Sequence, residues 1–320
     1  MNLQKTFSFT ALIEKPWIWS FLGVIVVWLA TISFTQGQGS GQILTAAFSF
    51  ATFTVIVGLG QMFVITTGPG NVDLSIPSTI ALSAAISMKI MDGANDMLVV
   101  GALASLGCGL GVGLFNYGLI RILKIPPIIA TLSASFLILS TAIAYGRGIK
   151  IKPPTMLADF ATAQIYGVPL LAVFIIGVAV LMHILLNRTL YGRSVLAIGQ
   201  NMRAAKLAGI NVERIRFATY VLSALMASFC GFVLAGFSGG SSLNMGEEYL
   251  LASIAVVVIG GTSVAGGKAN IPGIWGASLF MFMLVTMLNT FGASAGIRLI
   301  MTGLIIVGVI TIAGGDKQQR

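Results

Sequence analysis

Apolar positions in this chain come in long unbroken blocks rather than in stripes of period 3.6 or 2. They cover about Trp17–Thr35, Ile43–Thr66, Asp73–Met91, Met97–Ile120, Pro126–Tyr145, Val168–Leu186, Phe217–Phe237, Tyr249–Gly267, Ile271–Thr290 and Ile297–Ala313. Each is close to the ~20 residues that an α-helix needs to cross a hydrocarbon core. The pattern predicts an all-α integral membrane protein, with residues 1–320 forming one domain of about ten transmembrane helices. The first block is longer than a signal-peptide core and no small-x-small pattern follows it, so it reads as an uncleaved span.

Composition agrees with that class. Of 320 residues, 57% are hydrophobic and 8% charged, with mean hydropathy +0.98, whereas soluble domains carry roughly 25% charged residues. A net charge of +9 raises the question of nucleic acid, but the bases sit between apolar blocks and form no polar face, so none is expected. Orientation explains them better. With the amino terminus inside, the inner segments hold Lys5, Lys15, Arg121, Lys124, six bases between Asn187 and Arg216, Lys268, Lys317 and Arg320. Lys89, Arg147, Lys150, Lys152 and Arg298 fall outside, so inner bases outnumber outer ones and both termini are expected in the cytoplasm. Asp92, Asp96, Asp159, Glu247 and Glu248 also fall outside, where they can meet a soluble partner.

The inner segment Asn187–Arg216 is the longest polar stretch, with Arg188, Arg193, Arg203, Lys206, Arg214 and Arg216 against the single acid Glu213. Asn201 can cap a short helix from Met202 to Ala208, and Gly209 can end it in the left-handed conformation. Its run Tyr191-Gly192-Arg193, Ala197-Ile198-Gly199, Asn201, Ala204-Ala205 and Leu207 to Asn211 resembles the cytoplasmic loop of permease subunits in bacterial ABC importers for monosaccharides. These form the ribose-type branch of the family shared with branched-chain amino-acid permeases. The resemblance implies that residues 187–216 are a coupling loop docking on an ATPase, with Asn201, Arg203, Ala204, Ala205, Lys206 and Gly209 as its candidate residues. It also implies a type II importer-like fold in a bacterial inner membrane. The partners would be two cytoplasmic ATPase subunits, a second permease chain (the same or related) and an extracytoplasmic sugar-binding protein.

Two glycine-rich breaks carry further resemblance. Thr67-Gly68-Pro69-Gly70-Asn71-Val72-Asp73-Leu74-Ser75-Ile76-Pro77 is similar to the family's Gly-Gly-Ile-Asp-Leu-Ser-Val-Gly signature near the transport path, with Asn71 and Pro77 in place of glycines. Gly and Pro interrupt the helix here, and Asp73 or Ser75 can cap its restart. A broken backbone at membrane depth must be buried in protein or line a cavity. The run Ile259 to Ala269, followed by Ile271-Pro272-Gly273, resembles the family's Gly-Gly-Thr-Ser-x-x-Gly-Gly-x-Gly motif, with Ala269 for the last glycine. It also brushes against a nucleotide-binding P-loop but fails at Thr262 and Ala269, so ATP is expected to bind elsewhere. Gly107, Gly109, Gly111 and Gly113 form two overlapping G-x-x-x-G pairs suited to close helix packing.

Enzyme chemistry finds no support. His183 is the single histidine and is read as a packing or interface residue; Cys108 and Cys230 lie inside apolar blocks as packing residues. No metal-ligand set or cofactor is expected. An ion-coupled carrier or channel is the alternative from another class; a secondary transporter usually carries ionisable groups within its spans, and Asp73 is the only strong candidate. It can cap a helix or contact cargo. The candidate path residues are Asn71, Asp73, Ser75, Asn116 and Asn289, each of which can also bond a neighbouring helix. With the resemblance, four neutral groups among them favour a small neutral sugar, pentose or hexose, as cargo, with a branched-chain amino acid as the alternative.

Overall fold

A computed structural model describes residues 16–148, 151–294 and scattered positions between 296 and 308. The stretch with Lys5, Glu14 and Lys15, and most of the expected span Ile297–Ala313, lie outside the described residues. In chain order the helices are α1 (Pro16–Phe34), α2 (Ser40–Thr66), α3 (Ile76–Met91), α4 (Leu98–Ile122), α5 (Pro127–Gly146), α6 (Thr155–Thr162), α7 (Leu170–Arg188), α8 (Leu190–Gln200), α9 (Met202–Leu207), α10 (Val212–Phe237), α11 (Tyr249–Ile259) and α12 (Ile271–Thr290). A 3-10 turn at Asn95–Met97 leads into α4, and a hairpin of β1 (Gln164–Ile165) and β2 (Val168–Pro169) precedes α7.

Seven of these helices are long and apolar enough to cross a membrane, and α3 and α11 are shorter apolar helices. The fold is thus that of an all-α integral membrane protein. The expected span Tyr249–Gly267 stops as a helix at Ile259, because Gly260 and Gly261 let the chain turn away and Gly261 adopts φ +90°. At the other end, α10 begins at Val212 rather than Phe217 because Asn211 Oδ1 accepts from Arg214 N at 3.1 Å, holding a polar first turn in the helix. The connection between α5 and α7 carries α6 and the hairpin.

Proline sets several starts. It stands in the first turn of α3, α5 and α12, where its fixed φ suits a helix and its missing N–H goes unneeded. At the centre α10 packs against α2, α3 and α4, while α12 lies between α1, α2 and α11. The core is built from Phe53, Ile56, Leu59, Met62, Phe63, Ile80 and Met88, all buried. Outward faces are apolar instead of polar: Leu103, Leu106, Leu110 and Leu114 of α4 and Val173, Val180 and Leu181 of α7 are exposed. Such faces belong against lipid rather than water.

Of the four spaced glycines in α4, one pair packs closely against another helix among the described residues. A Cβ at Gly109 would meet Ser228 and Ala224, and one at Gly113 would lie 2.6 Å from Val221 Cα, so this pair brings α4 and α10 into backbone contact. Gly107 and Gly111 face open space. Cys230 is fully buried, and Cys108 is partly buried beside Leu82 and Val112. His183 is exposed on α7 and contacts Asn187 one turn on.

Candidate functional site

The break between α2 and α3 folds into the protein rather than out of it. Asn71, Asp73 and Ser75 are buried at 4%, 0% and 0% exposure, so each backbone and side-chain polar group needs an internal partner. Asp73 Oδ1 accepts from Ser75 N at 3.0 Å and Ser75 Oγ at 2.6 Å, and its Oδ2 accepts from Ser223 Oγ of α10 at 2.8 Å. Asp73 therefore satisfies the N–H of the residue just before α3, while the side chain of Ser75 turns to the carboxylate and caps nothing. Gln61 Oε1 of α2 accepts from Asp73 N at 3.1 Å, and Thr131 of α5 bridges the loop by accepting from Leu74 N and donating to Val72 O, both at 3.1 Å.

Asn116 joins this cluster from α4, donating through Nδ2 to Ser75 Oγ at 2.7 Å. At its other edge Asn71 Oδ1 accepts from Arg216 at 2.7 Å and from Tyr220 at 3.3 Å, while Asn71 Nδ2 donates to Gly68 O at 3.0 Å. Asp73, Ser75 and Asn116 thus meet in one network between α2, α4, α5 and α10, and Asn71, two residues before Asp73, sits at its edge with its own partners on α10. Asn289 does not join it. That residue is exposed near the end of α12, because a polar residue close to a helix end need not face inward. Two amide atoms deep in the network, Gln61 Nε2 and Asn116 Oδ1, are buried without a hydrogen-bond partner among the described residues. Each such group costs about 1–3 kcal/mol to leave bare.

The second glycine-rich break, Gly260 to Asn270, lies against the first. Gly267 N donates to Thr66 O at 2.9 Å, and a Cβ on Gly266 would sit 2.5 Å from Gly68 Cα. Gly199, next to last in α8, has no room for a side chain between the Thr66 carbonyl and Gly267. Asn270 closes the loop by donating to Gly260 O at 2.8 Å. The end of α8 is therefore in backbone contact with the last residue of α2, which leads into the first break, and with the second break.

One residue after α8 ends, the short α9 begins. Asn201 Oδ1 accepts from Ala204 N at 3.0 Å and Gly209 adopts φ +83°, the two ends that the sequence predicts. Arg203, Ala204, Lys206 and Gly209 are exposed. Ala205 differs: at 4% exposure it packs with Ile198 and Val212, so it holds the loop together from within. Leu207, which sequence reading passes over, is 89% exposed and is the most prominent apolar side chain of this segment. A hydrophobic residue before a left-handed glycine on a basic loop is the signal that would have found it.

Apolar outer faces, a buried polar break between helices and a basic loop packed on the end of α2 that leads into it define a multi-pass membrane protein. The chain belongs to the family of branched-chain amino acid transport system permease components, whose model matches residues 42–310. It is similar to the ribose import permease protein of Bacillus subtilis, 31% identical across 95% of this chain and 94% of that protein. Similar too are the fructose import permease protein of Rhizobium meliloti, 31% identical across 90% and 83%, and the autoinducer 2 import system permease protein of Salmonella typhi, 29% identical across 98% and 87%. No solved structure matches the chain. As a permease subunit of an ABC transporter in the inner membrane the chain is not itself an enzyme; ATP hydrolysis lies on separate subunits, and the assembly includes ATPase and substrate-binding partners.

Proposed function

We propose that the chain is the permease of an ATP-driven importer that brings a small neutral sugar, a pentose or hexose, into the cytoplasm. The observation that carries this reading is the chemistry left over in the buried network. Asp73 is engaged by Ser75 and Ser223, and, besides Arg216 Nε at the network's other edge, the buried groups there with spare capacity are one amide donor on Gln61 and one amide acceptor on Asn116. A sugar hydroxyl is both donor and acceptor and suits such a pair. Relatives that import ribose and fructose support the same cargo class. In the complete assembly two permease chains, identical or related, enclose one path, with two ATPase subunits inside, a sugar-binding protein outside and both termini in the cytoplasm.

Residues 187–216 act as the coupling loop, with Arg203, Lys206 and Leu207 presented to the ATPase. Because Gly199 and Gly267 pack against the Thr66 carbonyl, a push on this loop is delivered to the pathway break through backbone contact. In proteoliposomes holding the permease, ATPase and binding protein, uptake is expected to need ATP, to ignore a proton gradient and to be competed by monosaccharides. Competition by leucine alone would move the cargo to the amino-acid branch, and gradient-driven uptake without ATP would overturn the importer. A Leu207→Asp variant is expected to insert and bind lipid normally yet lose most ATP-driven uptake. Wild-type transport by that variant would remove Leu207 from the docking face.

A further inference from the structure

A cleft of 360 Å³ opens where α4 ends and α5 and α10 begin. It is separate from the buried network except at Arg216, whose terminal nitrogen reaches inward to Asn71 while its Nε is buried with no partner among the described residues. Three cations line it, Arg121, Lys124 and Arg216, against the one acid Glu213. Glu213 is largely committed, accepting from Tyr117 at 2.6 Å and pairing with Arg121 Nε at 3.3 Å. That ion pair is more than a third exposed on both sides and holds Arg121 only weakly. Lys124 has no ion pair among the described residues and stands at φ +55°, a conformation uncommon for any residue but glycine. The cleft therefore carries excess positive charge that the described residues do not neutralise.

Its surroundings say what kind of anion fits. The remaining walls include Ile125 and Pro126, and the adjoining surface exposes Ile122, Leu123, Ile128 and Ile129. These residues lie at the ends of two spans, the depth of lipid headgroups. A basic pocket between transmembrane helices with apolar surface beside it suits a phosphate ester carrying acyl chains. Arginine adds the planar fork that a phosphate can accept from in two places. We propose that this cleft holds the phosphate of an anionic phospholipid. Bound there, the phosphate lies beside the guanidinium that grips Asn71, so the lipid steadies the inner edge of the pathway break. The site stands whichever cargo the permease carries.

The test uses the purified full-length permease, stripped of lipid and titrated with phosphatidylglycerol or phosphatidylcholine, with bound lipid counted by native mass spectrometry. Phosphatidylglycerol is expected to be retained selectively. The double variant Arg121→Gln with Lys124→Gln is expected to weaken it roughly 25-fold, about five-fold per base, from about 1 kcal/mol for each basic residue. The pair Arg121→Lys with Lys124→Arg keeps the charge and should retain the lipid, and Lys152→Gln, far along the chain, should change nothing. If the neutral pair does not elute as a folded permease, Lys124→Gln alone must still show the five-fold loss. Equal retention of both lipids, or an unchanged affinity in the neutral pair, would overturn the site. Displacement of the lipid by inorganic phosphate at equal concentration would assign the cleft to soluble phosphate instead. Loss of ATPase binding with lipid retention intact would make it a protein contact.

Discussion

The two breaks, Thr67–Ser75 and Gly260–Asn270, look alike in sequence and are built by different physics. Both are rich in glycine and both lead into a helix that opens Ile-Pro, at Ile76-Pro77 and Ile271-Pro272. The first is held by side chains: Asp73, Asn71 and Ser75 reach Ser223, Arg216, Tyr220 and Asn116 on two other helices. The second is held mainly by close backbone approach, with Gly260 against Gly273, Gly266 against Gly68 and Gly267 against Thr66. One break binds its neighbours through polar side chains, and the other offers a surface without side chains on which the first break and the end of α8 can rest. A glycine-rich motif near a transport path is thus not evidence of ligand contact by itself.

That contrast is tested most severely at Gly199, where α8 meets the end of α2 and the second break. A Gly199→Val side chain would run into the Thr66 carbonyl and Gly267, with no flexible side chain to give way. Destabilisation of about 4 kcal/mol or more is expected, enough to lose the folded permease from the membrane. Near-normal thermal stability in detergent would show that the junction is loose and that the two breaks move independently.

At Asp73 the chemistry of the first break is tested in isolation. Asp73→Leu strands the Ser75 N–H and two hydroxyls in an apolar interior and should cost about 3 kcal/mol, with transport lost. Asp73→Asn is expected to be mild. Its oxygen can accept from Ser75 as before, and Ser223 can rotate its hydroxyl to accept from the new amide. Stability read by thermal unfolding separates the two variants. Uptake collapsing in Asp73→Asn while its unfolding temperature holds would give the carboxylate a direct role in cargo or ion handling, against the structural one that its hydrogen bonds describe.

Much of this was legible in the chain because apolar block length is a strong signal. The two ends of α9 were legible too, since Asn201 and Gly209 each meet a local backbone requirement. Partners were not. Asp73 and Ser223 are 150 residues apart, and the packing of α10 against α3 brings them together, so nothing in the sequence singles out Ser223, Tyr220 or Gln61. Arg216 counted as a topology charge because its contact with Asn71 lies 145 residues away. Ala205 was placed on the docking face because a six-residue helix is too short for periodicity to show which side turns inward. Asn289 was grouped with the path because sequence gives position along a span but not the face.

The smallest expected effect draws the contrast most finely, because it holds φ nearly constant. Gly70 of the first break and Gly266 of the second adopt nearly the same left-handed φ, +76° and +88°. Beyond Gly70 there is open space, whereas Gly266 is pressed on Gly68 and the Thr66 carbonyl. Alanine would suffer roughly the same conformational penalty at both, about 1 kcal/mol, but asparagine tolerates this region far better. Gly70→Asn should therefore shift stability by less than about 0.5 kcal/mol, since it pays neither conformational strain nor a clash. Gly266→Asn should lose about 3 kcal/mol, the steric part that no choice of backbone-tolerant residue removes. Measured together by thermal unfolding, equal and small losses would show that the second break has room for side chains. Equal and large losses would show that the first break is also closed around its glycine, and the division between a chemical loop and a packing loop would not hold.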